Sequence, residues 1–272
     1  MKIAFIGTGN MGGSLLRGVL AGEAGKRAQV VATTRSQSSA QALASDLDIR
    51  VLSQEEDPAA NRAAATDADF VFLGVKPWMM ADTLVELHDA LREDAVVVSM
   101  AAGVSLDQLA AAAAGRRVVR IMPNTPSSIG LGVITLAAGG GVTEAEIAEI
   151  SALLKGAGVV VPIPEAEIHA SIAVAGSAVA YFFLVMESLV EAGVAQGLTR
   201  EAATQMVVGT ANGAGRLAAQ NPDPVALRKA VTSKGGTTAA ALGSLEDDDI
   251  RGLMARAAQA AVDRSKEMEA GN

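Results

Sequence analysis

A glycine-rich segment near the amino terminus has the residue types and spacing that bind the pyrophosphate of a dinucleotide. It has the sequence GTGNMG over residues 7–12 and directly follows a short apolar run at residues 3–6. Gly7 permits a tight turn, and Gly9 lets backbone N–H groups approach an anion at the positive end of the next helix dipole. Three glycines can also simply form a turn, but their place between a strand and a helix indicates dinucleotide binding.

The end of the second predicted strand indicates which dinucleotide fits. Sites that prefer NAD usually place Asp or Glu there, to accept from the ribose 2′-hydroxyl. Here the strand continues into TTRS, residues 33–36, and no carboxylate occurs before Asp46. Two hydroxyls beside the Arg35 guanidinium suit a 2′-phosphate, because arginine donates bidentate, charge-assisted hydrogen bonds. We therefore expect NADPH, with NADH possible. The alternative is that Arg35 is only a solvated loop cation.

Three further loops follow predicted strands at their carboxyl ends, where an open α/β sheet binds its ligands. They are GVKP at residues 74–77, AAG at residues 101–103 and MPNTP at residues 122–126. Each offers small side chains or a fixed backbone. Such residues suit the walls around a nicotinamide ribose and ring.

One segment in the second half has the composition of an anion-binding turn. It has the sequence TSKGGTT, residues 232–238, and precedes an alanine-rich helix. Two glycines followed by hydroxyl residues at a helix start present free N–H groups and two O–H donors, which form a carboxylate-binding nest with a possible proton donor. The alternative is that Thr237 only caps the helix.

These segments are held by alternating strands and helices in the first part of the chain. Apolar runs predict strands at residues 3–6, 30–33, 70–75, 96–100, 118–121 and 159–163, and amphipathic patterns predict helices at residues 11–21, 38–47, 81–91 and 106–113. Strand, helix and strand in repetition indicate parallel strands with right-handed crossovers. The fold class is α/β: a Rossmann-type doubly wound sheet, followed by an all-helical domain.

The pattern changes after residue 163, where we place the boundary between a dinucleotide-binding domain, 1–163, and a helical domain, 164–272. Helices are predicted at residues 166–192, 200–220, 224–231, 237–245 and 250–268. The uncharged stretch 168–186 is interpreted as a buried helix, because its polar residues make it a poor membrane span. With few aromatic residues to fill a core, part of this domain is expected to be buried against a second subunit.

Composition excludes several classes of function. The formal net charge of −8 disfavours nucleic acid and anionic membranes as partners. Without cysteine and with only two histidines, thiol nucleophiles, disulfides and metal sites are not expected. His88 is interpreted as a solvated helix residue and His169 as structural. No signal-peptide pattern precedes Gly7, so we expect a soluble, cytoplasmic protein.

Taken in order, these motifs resemble the Δ1-pyrroline-5-carboxylate reductase family. The resemblance rests on GTGNMG at 7–12, VKP at 75–77, AAGV at 101–104, MPNTP at 122–126 and SKGGTT at 233–238. It implies a Rossmann domain followed by a helical dimerisation domain, in a homodimer or a ring of dimers. It also implies NAD(P)H-dependent reduction of a cyclic imine to L-proline, in an active site between one subunit and the helices of its partner.

The loops and the resemblance together give the expected site residues. Those expected to bind the coenzyme are Ile6, Gly7, Thr8, Gly9, Asn10, Met11, Thr34, Arg35, Ser36, Asn61, Gly74, Val75, Lys76, Pro77, Ala102 and Asn124. Those expected to bind the small-molecule substrate are Ser233, Gly236, Thr237, Thr238 and Lys76. Thr238 is the expected catalytic residue, close to the ring nitrogen.

Three positions depart from the family pattern. Lys234 stands where proline is common, residues 176–181 have GSAVAY in place of GSGPAY, and Ala230 replaces a frequent asparagine. A reductase of a six-membered or bulkier imine therefore stays open. A β-hydroxyacid dehydrogenase would need a helix-borne lysine, and none lies between Lys155 and Lys229. A non-catalytic NADPH sensor would not need the carboxylate nest.

Overall fold

An eight-stranded sheet forms the centre of the first part of the computed structural model, which describes residues 1–271. The strand order is β3-β2-β1-β4-β5-β6-β7-β8. Strands β1 to β6 are parallel, β7 is antiparallel to β6, and β8 is parallel to β7. The strands are β1 Lys2–Ile6, β2 Gln29–Thr34, β3 Arg50–Ser53, β4 Phe70–Leu73, β5 Val96–Ser99, β6 Arg117–Pro123, β7 Gly132–Ala138 and β8 Gly158–Pro162.

Alternating side chains on the central strands face two separate hydrophobic cores, one on each side of the sheet. Phe5 of β1 stacks on Phe72 of β4 with ring centroids 4.6 Å apart in one core. Ile6 and Leu73 belong to the other core. Burial on both faces explains why these strands are nearly continuous apolar runs.

Eight α-helices lie within residues 1–176 of the described chain. They are α1 Asn10–Ala21, α2 Glu23–Lys26, α3 Gln37–Leu47, α4 Ala60–Ala65, α5 Met80–Leu87, α6 Leu106–Ala112, α7 Glu144–Leu154 and α8 Ile168–Ser171. Capping boxes start α6, with Ser105 and Gln108, and α7, with Thr143 and Glu146. Each box satisfies two backbone N–H groups that the helix cannot bond itself.

The structure corrects the sequence prediction at several places. Strands β3 and β7 and helices α2, α4 and α7 were not predicted, and α5 ends at Leu87 instead of 91. The prediction of a parallel strand at 159–163 is wrong in direction, because β8 follows β7 and runs against the first six strands. The unpredicted β7, GVITLAA, contains three β-branched residues, Val133, Ile134 and Thr135, so its sequence carries the same strand signal as its neighbours.

The rest of the chain is helical, as predicted. Its helices are α9 Ala178–Ala195, α10 Arg200–Gln220, α11 Pro224–Ala230, α12 Thr237–Asp247 and α13 Ile250–Glu269. The predicted helix 166–192 is interrupted by a π-helical turn, Ile172–Gly176. Arg200 forms a two-bond ion pair with Glu191, at 2.5 and 2.9 Å, that links α10 to α9. The hydrogen bond from Arg200 lowers the pKa of Glu191 below its ordinary value.

Helix α9 is not buried within one chain, contrary to the prediction for 168–186. Phe182, Phe183 and Leu184 are 66, 60 and 62% exposed. The helical segment 165–195 is long and apolar enough to cross a membrane. An 18-residue window within it has a mean hydropathy of 1.9, and 17% of that window is buried. One such helix is weak evidence for a membrane span.

The compact units divide the chain later than the predicted boundary. One comprises Met1–Gly176 and the residues from Ala261 onward, and the other comprises Ser177–Ala260. Helix α8 belongs with the sheet because Ile168 is completely buried and the Ser171 hydroxyl lies 3.2 Å from the Thr135 hydroxyl of β7. The end of α13 also belongs to the sheet unit.

Candidate functional site

The turn between β1 and α1 leaves backbone N–H groups available for an anion. Gly7 has a φ of +78°, a conformation that favours glycine. Gly9 is the N-cap of α1, and no side chain caps the helix. A Cβ on Gly9 would meet no atom within 4 Å, so this position faces open space. The first N–H groups of α1 lack intrahelical partners, which makes them donors for a phosphate.

The turn is held against β4 by a close backbone approach. Gly74 N donates to Ile6 O at 2.8 Å, and a Cβ on Gly74 would lie 2.5 Å from the carbonyl oxygen of Gly7. Only glycine therefore fits at position 74 without moving the turn.

A chain of buried and partly buried hydrogen bonds supports the turn from the side of the protein interior. Gly7 N donates to the Thr33 hydroxyl at 3.1 Å, which donates to Asn61 Oδ1 at 2.8 Å. Asn61 Nδ2 donates to Glu86 Oε2 at 3.3 Å. Asn61 is 3% exposed, so the structure places this expected coenzyme residue beneath the turn, where it orients Thr33.

A cleft of about 1000 Å³ opens at the carboxyl ends of β1, β2 and β4. Nine of the residues expected to bind the coenzyme line it together, namely Gly7, Thr8, Gly9, Thr34, Arg35, Ser36, Gly74, Val75 and Lys76. Its volume is at the upper end of the range for ligand sites. Together with the open helix start, this cleft fits a dinucleotide.

Four residues that line the cleft were not among the expected site residues. They are Ser39, Gln54, Glu55 and Met79. Gln54 and Glu55 follow β3, which the sequence analysis did not predict. Met79 directly follows the VKP loop and Trp78, so its position next to that loop was the available signal.

Six expected coenzyme residues besides Asn61 do not line the cleft: Ile6, Asn10, Met11, Pro77, Ala102 and Asn124. Ile6 points into the core, so only its backbone adjoins the turn. The Asn124 amide is already engaged, since Nδ2 donates to Ala175 O at 3.1 Å and Oδ1 accepts from Val133 N at 2.9 Å. It thereby ties the MPNTP loop to the π-helical turn and to β7.

The expected substrate residues other than Lys76 lie at the start of α12, in the helical unit. Gly236 is the N-cap of α12, and no side chain caps the helix. The alternative that Thr237 serves as the N-cap is therefore wrong, because Thr237 is the first residue of the helix. Gly236 N donates to Ser233 O at 3.1 Å, which closes a tight loop before the free N–H groups.

Thr34, Arg35 and Ser36 line the part of the cleft where the 2′-phosphate is expected, which we call the 2′ end. Two loops contribute charged groups to it. The Arg35 guanidinium has no hydrogen bond or ion pair within the described residues 1–271, whereas the Glu55 carboxylate accepts from the backbone N–H of Gln37 at 3.0 Å. Among those residues the structure shows no group of three His, Cys, Asp or Glu side chains that could hold a metal ion. The cleft is therefore a binding surface lined by glycine backbone, hydroxyls, the cations of Arg35 and Lys76 and the carboxylate of Glu55.

Replacing Arg35 with alanine is expected to weaken NADPH binding about tenfold while NADH binding changes less than about twofold, because a charge-assisted hydrogen bond reaches only the 2′-phosphate. Titration of the fluorescence of each bound reduced coenzyme measures both dissociation constants. Equal weakening of both coenzymes would show that Arg35 acts on a part they share.

Comparison with known proteins agrees with this geometry. Residues 165–268 match a family model described as pyrroline-5-carboxylate reductase dimerisation, and residues 2–103 match one described as NADP oxidoreductase, coenzyme F420-dependent. Pyrroline-5-carboxylate reductases from Vibrio alginolyticus and Corynebacterium melassecola are 42 and 39% identical, over 98% of this chain and 97 and 98% of theirs.

Solved structures of pyrroline carboxylate reductases are also similar to this chain over nearly its full length. A pyrroline-5-carboxylate reductase from Coxiella burnetii superposes with a TM-score of 0.91 at 35% identity, over 98% of this chain and 97% of that one. The Plasmodium falciparum pyrroline carboxylate reductase, solved with NADP bound, superposes with a TM-score of 0.82 at 26% identity, over 99% of this chain and 98% of that one.

A Rossmann-type sheet with an open phosphate turn and a helical second part defines an NAD(P)H-dependent oxidoreductase. The relatives that match over the full length then specify which family of oxidoreductases it is. This chain belongs to the pyrroline-5-carboxylate reductase family.

Proposed function

We propose that this protein reduces 1-pyrroline-5-carboxylate to L-proline with NADPH, the last step of proline biosynthesis. The observation that carries the proposal is the glycine-capped start of α1 opening into a cleft of about 1000 Å³, in a chain related over its full length to reductases of this name. The reduced nicotinamide supplies a hydride to the imine carbon when it is bound.

The chain's own residues bind and orient the coenzyme. The N–H groups at the start of α1 bind the pyrophosphate, and Thr34, Arg35 and Ser36 bind the 2′-phosphate of the adenosine. Gly74, Val75 and Lys76 line the same cleft on the β4 side, where they border the nicotinamide end. Asn61 acts through Thr33 by fixing the turn.

The nest at the start of α12 binds the substrate carboxylate. Gly236 leaves the first N–H groups of this helix free, and Ser233 and Thr237 add hydroxyl donors. Lys76 lines the cleft with an exposed side chain, which lets its ammonium reach an anionic substrate. The two sets of residues hold the two reactants in place, and positioning alone lowers a barrier by several kcal/mol.

A strong general acid is not needed for this reaction. An iminium carbon is already electrophilic, and the site residues include no pair of carboxylates placed for acid and base work. Thr238, the second residue of α12, donates or organises a hydrogen bond at the ring nitrogen. Its hydroxyl accepts from the N–H of the iminium before hydride transfer and donates to the lone pair that hydride addition leaves on the nitrogen. It thus orients the ring while the nitrogen keeps its proton.

Replacing Thr238 with alanine is expected to lower kcat/KM for pyrroline-5-carboxylate about 10- to 100-fold, because a hydrogen bond made at the reacting nitrogen is lost. The NADPH dissociation constant should stay within about twofold of the wild type, because Thr238 is proposed to contact the substrate only. Steady-state oxidation of NADPH and a coenzyme titration measure the two quantities.

Thr204→Ala is a matched control, because the Thr204 hydroxyl is bonded to Arg200 O on α10. Its turnover should equal that of the wild type. Unchanged turnover in Thr238→Ala would remove Thr238 from the mechanism.

Because of Lys234, a six-membered cyclic imine is a second candidate substrate. Its exposed ammonium stands beside the nest, where family members commonly have proline. Turnover of pyrroline-5-carboxylate and of a six-membered piperideine-carboxylate, compared on one preparation, decides between a proline-forming enzyme and a reductase of larger imines.

The dimerisation match supports self-association of this chain. Assembly as a homodimer or a ring of dimers, a cytoplasmic location, and the absence of nucleic-acid, membrane and metal partners are part of the proposal. The acidic net charge of −8 supports the exclusion of polyanionic partners.

A further inference from the structure

A carboxylate that the sequence analysis did not place lies at the 2′ end of the cleft. Glu55 lines this cleft together with Thr34, Arg35 and Ser36. A carboxylate at the ribose accepts a hydrogen bond from the 2′-hydroxyl of NADH but repels the 2′-phosphate of NADPH. The carboxylate that is absent directly after β2 is therefore supplied by the loop after β3.

The backbone holds Glu55 beside Arg35. Gln54 N donates to Thr34 O at 3.0 Å, and Glu55 N donates to Arg35 O at 3.0 Å and to the Ser53 hydroxyl at 3.2 Å. These bonds continue the parallel pairing of β2 with β3 beyond the strand ends. The position of Glu55 is thus set by the sheet.

The Glu55 side chain occupies a donor that an added phosphate would use. Its Oε2 atom accepts from the backbone N–H of Gln37 at 3.0 Å, and Gln37 is the first residue of α3. This N–H lies at the positive end of the α3 dipole, where a phosphate also binds best. A 2′-phosphate must therefore displace the Glu55 carboxylate or lie next to it.

We propose that Glu55 is a specificity-determining residue that lowers the preference for NADPH over NADH. Arg35 and Glu55 act in opposite directions on one position of the coenzyme: the guanidinium attracts a 2′-phosphate, and the carboxylate favours a 2′-hydroxyl. The wild-type enzyme is then able to use both coenzymes. This inference rests on the proposed coenzyme role of the cleft.

The test is direct coenzyme binding to Glu55→Gln, with Glu56→Gln as the matched control. Gln at 55 keeps an acceptor for Gln37 N but removes the charge. Glu56 is the neighbouring exposed carboxylate, it contacts the Gln37 side chain at 3.3 Å, and it does not line the cleft. Dissociation constants for NADPH and NADH come from fluorescence titration, and displacement by adenosine 2′,5′-bisphosphate and by AMP isolates the 2′ position.

Glu55→Gln is expected to bind NADPH about fivefold more tightly, because a like charge near the 2′-phosphate is removed. It should bind NADH roughly threefold more weakly, because a neutral acceptor replaces a charged one. The ratio of the two constants therefore shifts more than about tenfold, and Glu56→Gln leaves it within about twofold. The shift should shrink at high ionic strength.

The possible failures are distinguishable. A ratio unchanged in Glu55→Gln, while Arg35→Ala still weakens NADPH binding, overturns the role of Glu55 and leaves the proposed function intact. Equal shifts in Glu55→Gln and Glu56→Gln also overturn it, because they reflect net charge only. Wild-type protein that binds neither coenzyme overturns the proposed function and this inference together.

Discussion

Replacing Phe183 with glutamate is expected to convert the protein to a monomer and to lower turnover at least about 100-fold, while the coenzyme still binds. Phe183 lies on α9 and is 60% exposed within one chain. In a two-fold interface each substitution places two charges into apolar surroundings, so its cost counts twice. Light scattering measures the mass, and oxidation of NADPH measures the turnover.

The exposed residues of α9 do not form a single stripe. Phe182, Phe183, Leu184 and Val185 are 66, 60, 62 and 45% exposed. At about 100° per residue these four consecutive positions span about 300° of the helix circumference. A helix that is apolar all round is a buried helix. Since the match to the dimerisation model covers α9, we infer that a second copy encloses this helix on several sides.

We expect turnover to fall with loss of the dimer, because the family resemblance implies an active site between one subunit and the helices of its partner. Displacement of a catalytic group by about 1 Å lowers the rate of the reaction about 100-fold. Val85→Glu is the matched control: Val85 is 70% exposed on α5 of the sheet unit, so the same charge there should leave the mass unchanged. A Phe183→Glu protein that remains a fully active dimer would contradict the enclosed-helix interpretation.

The coenzyme turn could be predicted from the sequence because its signals are local. Gly7 and Gly9 mark a turn and a helix start within a few residues, and the structure has both where the pattern predicts them. The loops after β4, β5 and β6 were predicted for the same reason, since each directly follows a buried, mainly apolar strand.

The 2′ end of the cleft could not be predicted in the same way. It depends on β3, which has only four residues, RVLS, and lies at the edge of the sheet. Glu55 reaches Arg35 only because Thr34 pairs with Ser53 across the strands. The buried position of Asn61 likewise depends on packing between elements that are distant in the sequence.

The burial of α9 is another feature that the sequence predicts only in part. Its composition indicates that the helix is covered, but composition does not show whether the same chain or a second copy covers it. The structure answers for the single chain, in which the large side chains of α9 are exposed.

A second large effect, on the stability of the protein, is expected from substitution of Arg120, which is fully buried on β6. Its Nη1 atom donates to Glu269 Oε2 at 2.6 Å and to Glu165 Oε1 at 3.1 Å. Glu165 Oε1 also accepts from Leu106 N at 2.6 Å. His169 extends the cluster, with Nε2 3.5 Å from Glu269 and Nδ1 2.9 Å from the Ser265 hydroxyl, in agreement with a structural role.

This cluster fixes the end of α13 on the sheet unit. A Cβ on Gly103 would lie 3.1 Å from Met268 O, so the AAG loop lies directly against the last turn of α13. Within the described residues, Nε and Nη2 of Arg120 are buried without a hydrogen-bond partner. The arginine is therefore held by its two carboxylates alone.

Arg120→Met is expected to lower the free energy of unfolding by about 3 kcal/mol, because breaking a buried ion pair leaves carboxylates without a counter-charge. For a chain of this size the melting temperature should fall roughly 6–12 °C, which scanning calorimetry measures. Adding Glu269→Leu should restore part of the loss, because it removes one of the unpaired carboxylates.

Arg92→Met is the matched control for Arg120→Met, because Arg92 also bonds two carboxylates, of Asp69 and Asp94, but at an exposed site. Its hydrogen bond lowers the pKa of Asp94 below its ordinary value, yet water screens the pair, so the melting temperature should hardly change. Equal melting temperatures for the two variants would mean that the buried cluster adds no more than a surface pair. A larger loss at Arg120, partly reversed by Glu269→Leu, would locate the energy in the unpaired carboxylates.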